Sequence, residues 1–325
     1  GHLYLFDING LKFDYNADRW LIGTPVIGNI DSDPELEIVV GSYQSPTSSS
    51  PLFAVNHDGT DVDGYPYVIG EKIKSGVAIA DMDDNGIDDI VFGTDGDNIY
   101  VLMDDLTVAP GFPVDLGNNI RSEPSILDLG DEKVILSGCQ NDNFYAINFS
   151  DASLRFVIPT GDDVFSSASF YEDNSGVSIF FGSDDGNIYA VDINGNSLDG
   201  FPLNITSGEV VGSIVFSDLD SDGLVEMVVA DDLGNIYAQK NIVSISKIYD
   251  LDNEDLNEFI AIEKQNFDDE FGTSAVYYEV DEFGKHIELW RFTTTNQIVN
   301  ATIGDVNGDG VYEILVIYFK ASRSF

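Results

Sequence analysis

Three nine-residue stretches of this sequence place acidic or amide side chains at alternate positions around a tight turn. They are DMDDNGIDD at 81–89, DLDSDGLVE at 218–226 and DVNGDGVYE at 305–313, with oxygen-bearing side chains at loop positions one, three, five and nine. Calcium takes about six to eight oxygen ligands from flexible loops, and a glycine at position six permits the sharp turn around the ion. The pattern therefore predicts calcium sites.

The predicted ligands fall into two groups. The three loops above supply Asp81, Asp83, Asn85 and Asp89; Asp218, Asp220, Asp222 and Glu226; and Asp305, Asn307, Asp309 and Glu313. Two further loops lack the glycine at position six and supply Asn29, Asp31, Asp33 and Glu37, and Asp250, Asp252, Glu254 and Glu258. We thus expect about three well-formed calcium sites and up to five in all. The alternative is a set of solvated turns without metal, which Asp, Asn and Gly also favour.

The acidic loops recur because the whole sequence is built from one repeated unit. A short apolar and aromatic segment returns every 44 to 51 residues, with its second residue at Leu3, Phe53, Ile99, Phe144, Ile188, Ile236 and Ile287. Each unit holds up to four short alternating patterns typical of strands, and no 3.6-residue apolar period is long enough for a helix. Four strands per repeat of this length are typical of a β-propeller. At two repeats, near Asp128 and Tyr171, the acidic loop is shortened, and we predict no metal there.

The two ends of the chain complement each other. The last repeat offers two strands within 296–325, and residues 1–18 supply the missing third and fourth. Their pairing would close a ring and leave no long unpaired sheet edge. The sequence therefore predicts an all-β fold, a single seven-bladed β-propeller domain over 1–325 with four-stranded blades. The close spacing of the loops at Asp218 and Asp250 predicts a shortened or missing outer strand in the sixth blade.

The charge of the chain excludes several classes of partner. Its 14 Lys and Arg residues stand against 58 Asp and Glu, a formal net charge of −44 that repels nucleic-acid phosphates and anionic lipids. No apolar stretch is long enough for a membrane helix, so we expect neither nucleic-acid binding nor direct membrane insertion. The single cysteine, Cys139, rules out an internal disulfide and is interpreted as a buried apolar residue.

Catalytic groups are harder to place. The three histidines, His2, His57 and His286, lie in no recognisable motif, so we predict no catalytic residues and no cofactor other than calcium. Whether the chain is an enzyme stays open, with a non-enzyme favoured. Trp20 and Trp290 are the only tryptophans, and most other aromatic residues follow the strand phase, which favours core packing over an exposed sugar-binding surface.

These motifs carry a family resemblance. The acidic loops lie between the first and second strands of a repeat and are followed in phase by an FG-like dipeptide, as at Phe92-Gly93 and Phe181-Gly182. Over essentially its whole length the chain resembles FG-GAP (VCBS-like) repeat proteins, which include the propeller of the integrin α subunit. The resemblance implies a secreted or cell-surface seven-bladed propeller with calcium on the face that carries these loops.

The function we infer from the sequence is that of a calcium-binding extracellular interaction or adhesion module. It would recognise a protein or glycan through the loops of the opposite face, where segments 42–51 and 265–285 look enlarged, the second with a pattern that also allows it to be partly strand. Two alternatives stay open, since a fold does not fix a function: the propeller of a secreted enzyme that degrades polysaccharide or peptide, and a non-binding spacer in a larger surface protein. The chain begins inside a strand-like pattern, which we interpret as the start of a mature fragment, and we count flanking domains of a longer chain among the candidate partners.

Overall fold

The structure is a computed structural model in which every regular element described is a β-strand. It describes residues 1–242, apart from 9, 46–49, 174–175, 199, 205, 207, 218 and 220–224, and then the strands at 257–267, 270–280, 286–294, 297–304 and 313–319. Side chains are described up to residue 238. Within these ranges we find no helix with the length and apolar character needed to cross a membrane. The chain forms two compact units, unit 1 (Gly1–Asp81, Gly86–Asp88 and Ile248–Phe325) and unit 2 (Met82–Asn85 and Asp89–Lys247).

Unit 1 contains three antiparallel sheets made entirely of its own strands. The first contains β1 (His2–Asp7), β2 (Gly10–Asn16), β24 (Gln297–Gly304) and β25 (Glu313–Phe319). The second contains β3 (Val26–Gly28), β4 (Glu37–Val40), β5 (Pro51–Val55) and β6 (Tyr67–Val68), and the third contains β21 (Asn257–Phe267), β22 (Glu270–Val280) and β23 (His286–Thr294). Strand β7 (Val77–Ala80) also belongs to unit 1.

Strands from the two ends of the chain share the first of these sheets, whose order is β2-β1-β25-β24. Strand β1 pairs antiparallel with β25 from His2 opposite Tyr318 to Phe6 opposite Ile314. The N-terminal hairpin therefore supplies the backbone partners of the last strand in the chain, and that strand is not left as an open edge.

Unit 2 repeats the same antiparallel plan. Its strands are β8 (Asp89–Gly93), β9 (Asn98–Leu102) and β10 (Val114–Asp115); β11 (Ser125–Asp128), β12 (Lys133–Cys139), β13 (Asn143–Asn148) and β14 (Leu154–Pro159); β15 (Ser169–Asp173), β16 (Gly176–Gly182) and β17 (Ile188–Asp192); and β18 (Val215–Ser217), β19 (Val225–Ala230) and β20 (Ile236–Ile242). In the part of the chain that is described, the β18-β19-β20 sheet has three strands.

Most of the 265–285 segment lies in strands β21 and β22, which agrees with the expectation that this enlarged segment is partly strand. These two strands pair continuously from Asn257 opposite Val280 to Phe267 opposite Glu270. The 42–51 segment is also rooted in the fold, since Ser42 and Ser50 are fully buried. The Ser50 hydroxyl accepts a hydrogen bond from the Gln44 backbone N–H at 2.8 Å, which ties the two sides of this loop together.

The glycine at the end of the second strand of a repeat is required by packing. A Cβ atom at this position would lie 2.2–2.4 Å from the side chain of a buried Ile or Val in the next repeat. The pairs are Gly41 with Ile73, Gly93 with Ile120, Gly138 with Val164, and Gly182 with Val210. The preceding Phe92 and Phe181 are fully buried. The FG-like dipeptide therefore combines one large core side chain with a position that has no room for a side chain.

We expect Gly182→Ala to destabilise the protein by about 1–3 kcal/mol, because the added methyl group overpacks the contact with Val210. A change of 1 kcal/mol corresponds to roughly 1.5 °C in Tm for a chain of 325 residues, because the unfolding entropy is about 2.1 cal/mol/K per residue. Gly212→Ala is the matched control, since a Cβ there meets no atom within 4 Å. Equal thermal melts for the two variants would contradict the packing role of the FG glycine.

Candidate metal centre

In three of the acidic loops the last residue is a buried carboxylate that is hydrogen bonded to the start of the same loop. Glu37 Oε2 accepts from the Ile30 backbone N–H at 3.0 Å, and Asp89 Oδ2 accepts from Met82 N–H at 2.9 Å. Glu226 Oε2 accepts from Leu219 N–H at 2.8 Å. Each bond spans seven residues, so three loops in different repeats share one local geometry. The bond fixes the ninth position of the loop against the second.

In the 29–37 loop, Asp31, Asp33 and Glu37 converge. Each can place one carboxylate oxygen within 4.8 Å of the other two, so the three could hold a metal ion. The turn is shaped by Asp31 Oδ1, which accepts from Asp33 N–H at 2.8 Å, and by Asp33 Oδ1, which accepts from Glu35 N–H at 2.9 Å. The loop thus forms without the glycine at position six.

The fourth predicted ligand of this loop, Asn29, makes different contacts. Its side-chain amide nitrogen donates to the backbone carbonyl oxygens of Asp31 and Asp33, at 3.0 and 3.2 Å. Its backbone N–H donates to Asp88 Oδ2 at 2.9 Å. Asn29 therefore braces the loop in this structure, and the three carboxylates form the candidate cation site.

Glu37 carries the clearest electrostatic signature of this site. Its side chain is fully buried, and its second oxygen, Oε1, has no hydrogen-bond partner among the described residues. Burial raises the pKa of Glu37 to about 7, the hydrogen bond from Ile30 opposes that rise, and the nearby carboxylates of Asp31 and Asp33 add to it. A buried, unpaired carboxylate is costly unless a cation or a proton offsets its charge.

The 81–89 loop is built differently at its ninth position. Asp81, Asp83 and Asp89 can also bring one oxygen each within 4.8 Å of one another. However, both oxygens of Asp89 are hydrogen bonded, Oδ2 to Met82 N–H and Oδ1 to Asp104 N–H at 2.9 Å. Burial raises the pKa of Asp89 to about 6 in spite of these two bonds.

Two further contacts shape the 81–89 turn. Gly86, at φ +93°, donates its backbone N–H to Asp81 Oδ2 at 2.7 Å, in the left-handed conformation that a glycine at position six permits. The predicted ligand Asn85 directs its side-chain amide nitrogen toward Asp104 Oδ1 at 3.4 Å.

The other predicted ligands are mostly outside the described residues. In the 218–226 loop, Glu226 is buried, and its Oε1, like that of Glu37, has no partner in the described part of the chain. The other three predicted ligands of this loop lie outside the described residues: Asp218, Asp220 and Asp222. In the remaining two loops, Asp305, Asn307, Asp309, Asp250, Asp252 and Glu254 lie outside it as well, and Glu313 and Glu258 are described only as backbone in β25 and β21.

A second acidic region in unit 2 was not predicted from the sequence. Asp142, Asp162 and Asp163 can each place one oxygen within 4.8 Å of the others. Nearby, a cleft of about 480 Å³ is lined by residues that include Asp184, Glu209 and Asp232. These groups come from consecutive repeats, so no single sequence motif contains them.

Asp184 is the most perturbed group of this region. Burial raises its pKa to about 7, and the carboxylates of Glu209, Asp163, Asp162 and Asp232 add to the rise. Its Oδ1 has no hydrogen-bond partner among the described residues.

Two groups with potential reactivity, His2 and Cys139, are held in structural surroundings. His2 Nδ1 lies 2.5 Å from Asp14 Oδ1. Cys139 is fully buried, as the sequence suggested, and burial raises the pKa of its thiol to about 11. A thiol with so high a pKa stays protonated at neutral pH and is a poor nucleophile.

Comparison with known proteins supports the fold alone. No protein-family model and no curated protein sequence matches the chain. Among solved structures it is similar to BBS1N in its complex with ARL6DN, with a TM-score of 0.56 and 10% identity over 93% of both chains. It is also similar to Sqt1 of Saccharomyces cerevisiae, with a TM-score of 0.55 and 13% identity over 75% of this chain and 66% of that one. Both neighbours are β-propeller-like, so the chain has an all-β, propeller-like fold.

We expect the ion-free protein to lose stability as the pH rises from about 4.5 to about 7. The pKa of Glu37 is raised from 4.5 to about 7 in the folded chain, so the folded state keeps a proton that the unfolded state releases first. Glu37→Gln removes this effect and should melt roughly 2–5 °C above the wild type at pH 8 in EDTA.

The control for this comparison is Asp63→Asn, which removes one negative charge from an exposed position in the same unit. This control distinguishes the effect of the buried Glu37 carboxylate on stability from the effect of the general repulsion among surface charges. If Glu37→Gln and Asp63→Asn have the same melting profile across this pH range, Glu37 is not the source of the pH dependence.

Proposed function

We propose that this chain is a calcium-binding, FG-GAP-like seven-bladed β-propeller that serves as an extracellular interaction or adhesion module. The observation that carries the proposal is the pair of buried carboxylate oxygens, Oε1 of Glu37 and of Glu226, at the same position of two acidic loops. Neither has a partner among the described residues, and a bound cation would provide one. Calcium fits best, because it binds carboxylate oxygens from flexible loops and does not require a regular coordination geometry.

The seven-bladed ring is supported by the number and pairing of the sheets. The described strands form seven antiparallel sheets, each of three or four strands. One of the four-stranded sheets combines strands from both ends of the chain, as expected for a ring closed by the N-terminal hairpin. The propeller-like neighbours are consistent with this architecture.

An extracellular location follows from the kind of calcium site proposed. We assign these loops, each with few protein carboxylates, to the weaker class of calcium site, which in extracellular modules binds calcium at roughly 10⁻⁴–10⁻³ M. Such sites fill only where free calcium is high. The net charge of −44 points the same way, because bound divalent cations would offset part of the repulsion among the carboxylates.

The proposed partner is a protein or a glycan bound by the face opposite the acidic loops, with flanking domains of a longer chain as further partners. Loops on one face of a repeat protein vary independently of the strands that support them, so they can be adapted to binding. Segment 42–51, whose residues 46–49 lie outside the described part, belongs to this face.

A second candidate function is that of a secreted enzyme, which the cleft beside Asp184 favours. A carboxyl group with a raised pKa in a cleft is a candidate general acid. Hydrolysis of a soluble polysaccharide or peptide substrate that is lost in Asp184→Asn, with the melt unchanged, would support the enzyme. Activity that the variant retains would exclude this site.

We expect calcium at about 2 mM to raise Tm by roughly 5 °C or more over EDTA, because ions bound only by the folded state stabilise it. The measurement is differential scanning calorimetry in 0.5 M NaCl, where surface charges are largely screened. Magnesium at the same concentration is the control for general divalent screening. Identical melts in calcium and EDTA would refute calcium binding.

A further inference from the structure

The same backbone contact joins two loops in four repeats. The residue after the buried end of the second strand donates its N–H to the carbonyl of a residue in the loop that precedes the first strand of the same repeat. The donor and acceptor pairs are Tyr43 and Trp20 at 3.0 Å, Gln140 and Asn119 at 3.0 Å, Asp184 and Asp163 at 2.9 Å, and Asp232 and Glu209 at 3.0 Å. Each repeat thus presents two side chains at equivalent places.

The repeat formed by β3 to β6, the first of the four, differs from the other three in the types of side chain at these two positions. The other three pairs consist only of acidic and amide residues, whereas Trp20 and Tyr43 are both aromatic. The Trp20 side chain is 56% exposed, although its neighbour Leu21 is 1% exposed and lies in the core. The ring of Trp20 is therefore not placed for core packing, and exposing a large apolar ring has no benefit for folding.

The aromatic pair is held in a fixed geometry. A second backbone bond, from Trp20 N–H to the Tyr43 carbonyl at 3.3 Å, makes the contact reciprocal. The two rings pack edge to face, with centroids 5.0 Å apart and planes at 76°. Lys74 Nζ lies 5.3 Å from the centroid of the Tyr43 ring, within the range of a cation–π contact. A binding surface built on fixed backbone loses little entropy when a ligand binds.

We propose that Trp20, Tyr43 and Lys74 form a binding site for a sugar ring of a neutral polysaccharide. This inference rests on the proposed interaction function and names its partner. One face of a pyranose ring presents C–H groups that can lie against the Trp20 ring, while its hydroxyls can accept hydrogen bonds from the Lys74 ammonium.

The surroundings favour a neutral glycan over other ligands. A net charge of −44 repels polyanions, including sulfated glycans and nucleic acids. Within the described parts of the loops at 16–25, 41–50 and 69–76, Trp20 is the one exposed large hydrophobic side chain. A stable protein interface needs about 800 Å² on each partner with an apolar centre, which one ring among polar groups does not provide.

The test is affinity gel electrophoresis in calcium with four soluble neutral polysaccharides: dextran, laminarin, galactomannan and xylan. We expect the wild type to be retarded by at least one of them and Trp20→Ala to bind it at least about tenfold more weakly. Trp20→Phe should retain part of the binding, because it keeps an aromatic ring. Val68→Ala, at another exposed apolar position of unit 1, is the control and should bind like the wild type.

Two readouts separate this inference from the proposed function. The stabilisation of Trp20→Ala by calcium should equal that of the wild type, so a loss of sugar binding cannot be ascribed to misfolding. Equal binding by Trp20→Ala and the wild type would overturn the site, as would no retardation of the wild type by any of the four. Retardation by dextran sulfate but not by dextran would overturn the neutral ligand.

Discussion

The crowding of negative charge is the constraint on which the rest of this structure depends. With 58 acidic and 14 basic residues, the chain cannot pair most of its carboxylates internally. The repeats nevertheless direct a carboxylate into a buried position at the ninth residue of an acidic loop, where Glu37 and Glu226 each have one oxygen without a partner in the described part of the chain. Burying such a group is unfavourable by itself, so the fold and the proposed cations are energetically linked.

The same repeat that creates the acidic loop also sets the packing between repeats. The FG glycine admits a buried Ile or Val from the next repeat, and the residue before Ile120, Val164 or Val210 accepts the backbone bond that joins two loops of that next repeat. Core packing and loop placement are therefore coupled at adjacent residues. The side chains at the joined positions are free to vary, and they range from acidic pairs to the aromatic pair of the first repeat.

Much of this could be predicted from the sequence, because the information is local and repeated. The 44–51-residue period, the strands and the acidic loops at 29–37 and 81–89 are all visible as short patterns. Ring closure and the calcium ligands stay predictions. The sequence ranked the 29–37 loop lower because Pro34 replaces glycine, yet its carboxylates converge as those of 81–89 do. The hydrogen bonds of Asp31 and Asp33 to the backbone shape the turn without a left-handed residue at that position.

What the sequence missed depends on contacts between repeats or on the direction of a single side chain. The cluster of Asp142, Asp162 and Asp163 forms only when consecutive repeats pack together. The sequence assigned Trp20 neither to the core nor to the surface, and in the structure its ring is exposed while the neighbouring Leu21 enters the core. For the 265–285 segment the sequence allowed a partial strand, and the structure extends it into the long pair β21 and β22.

The most direct test of calcium binding is equilibrium dialysis of the purified chain against radioactive calcium at about 1 mM free ion, near the affinity of extracellular calcium modules. We expect several ions per wild-type chain and about one fewer in Glu37→Gln, with no change in Asp63→Asn. Absence of bound calcium in the folded wild-type chain would contradict the assignment of the acidic loops as cation sites.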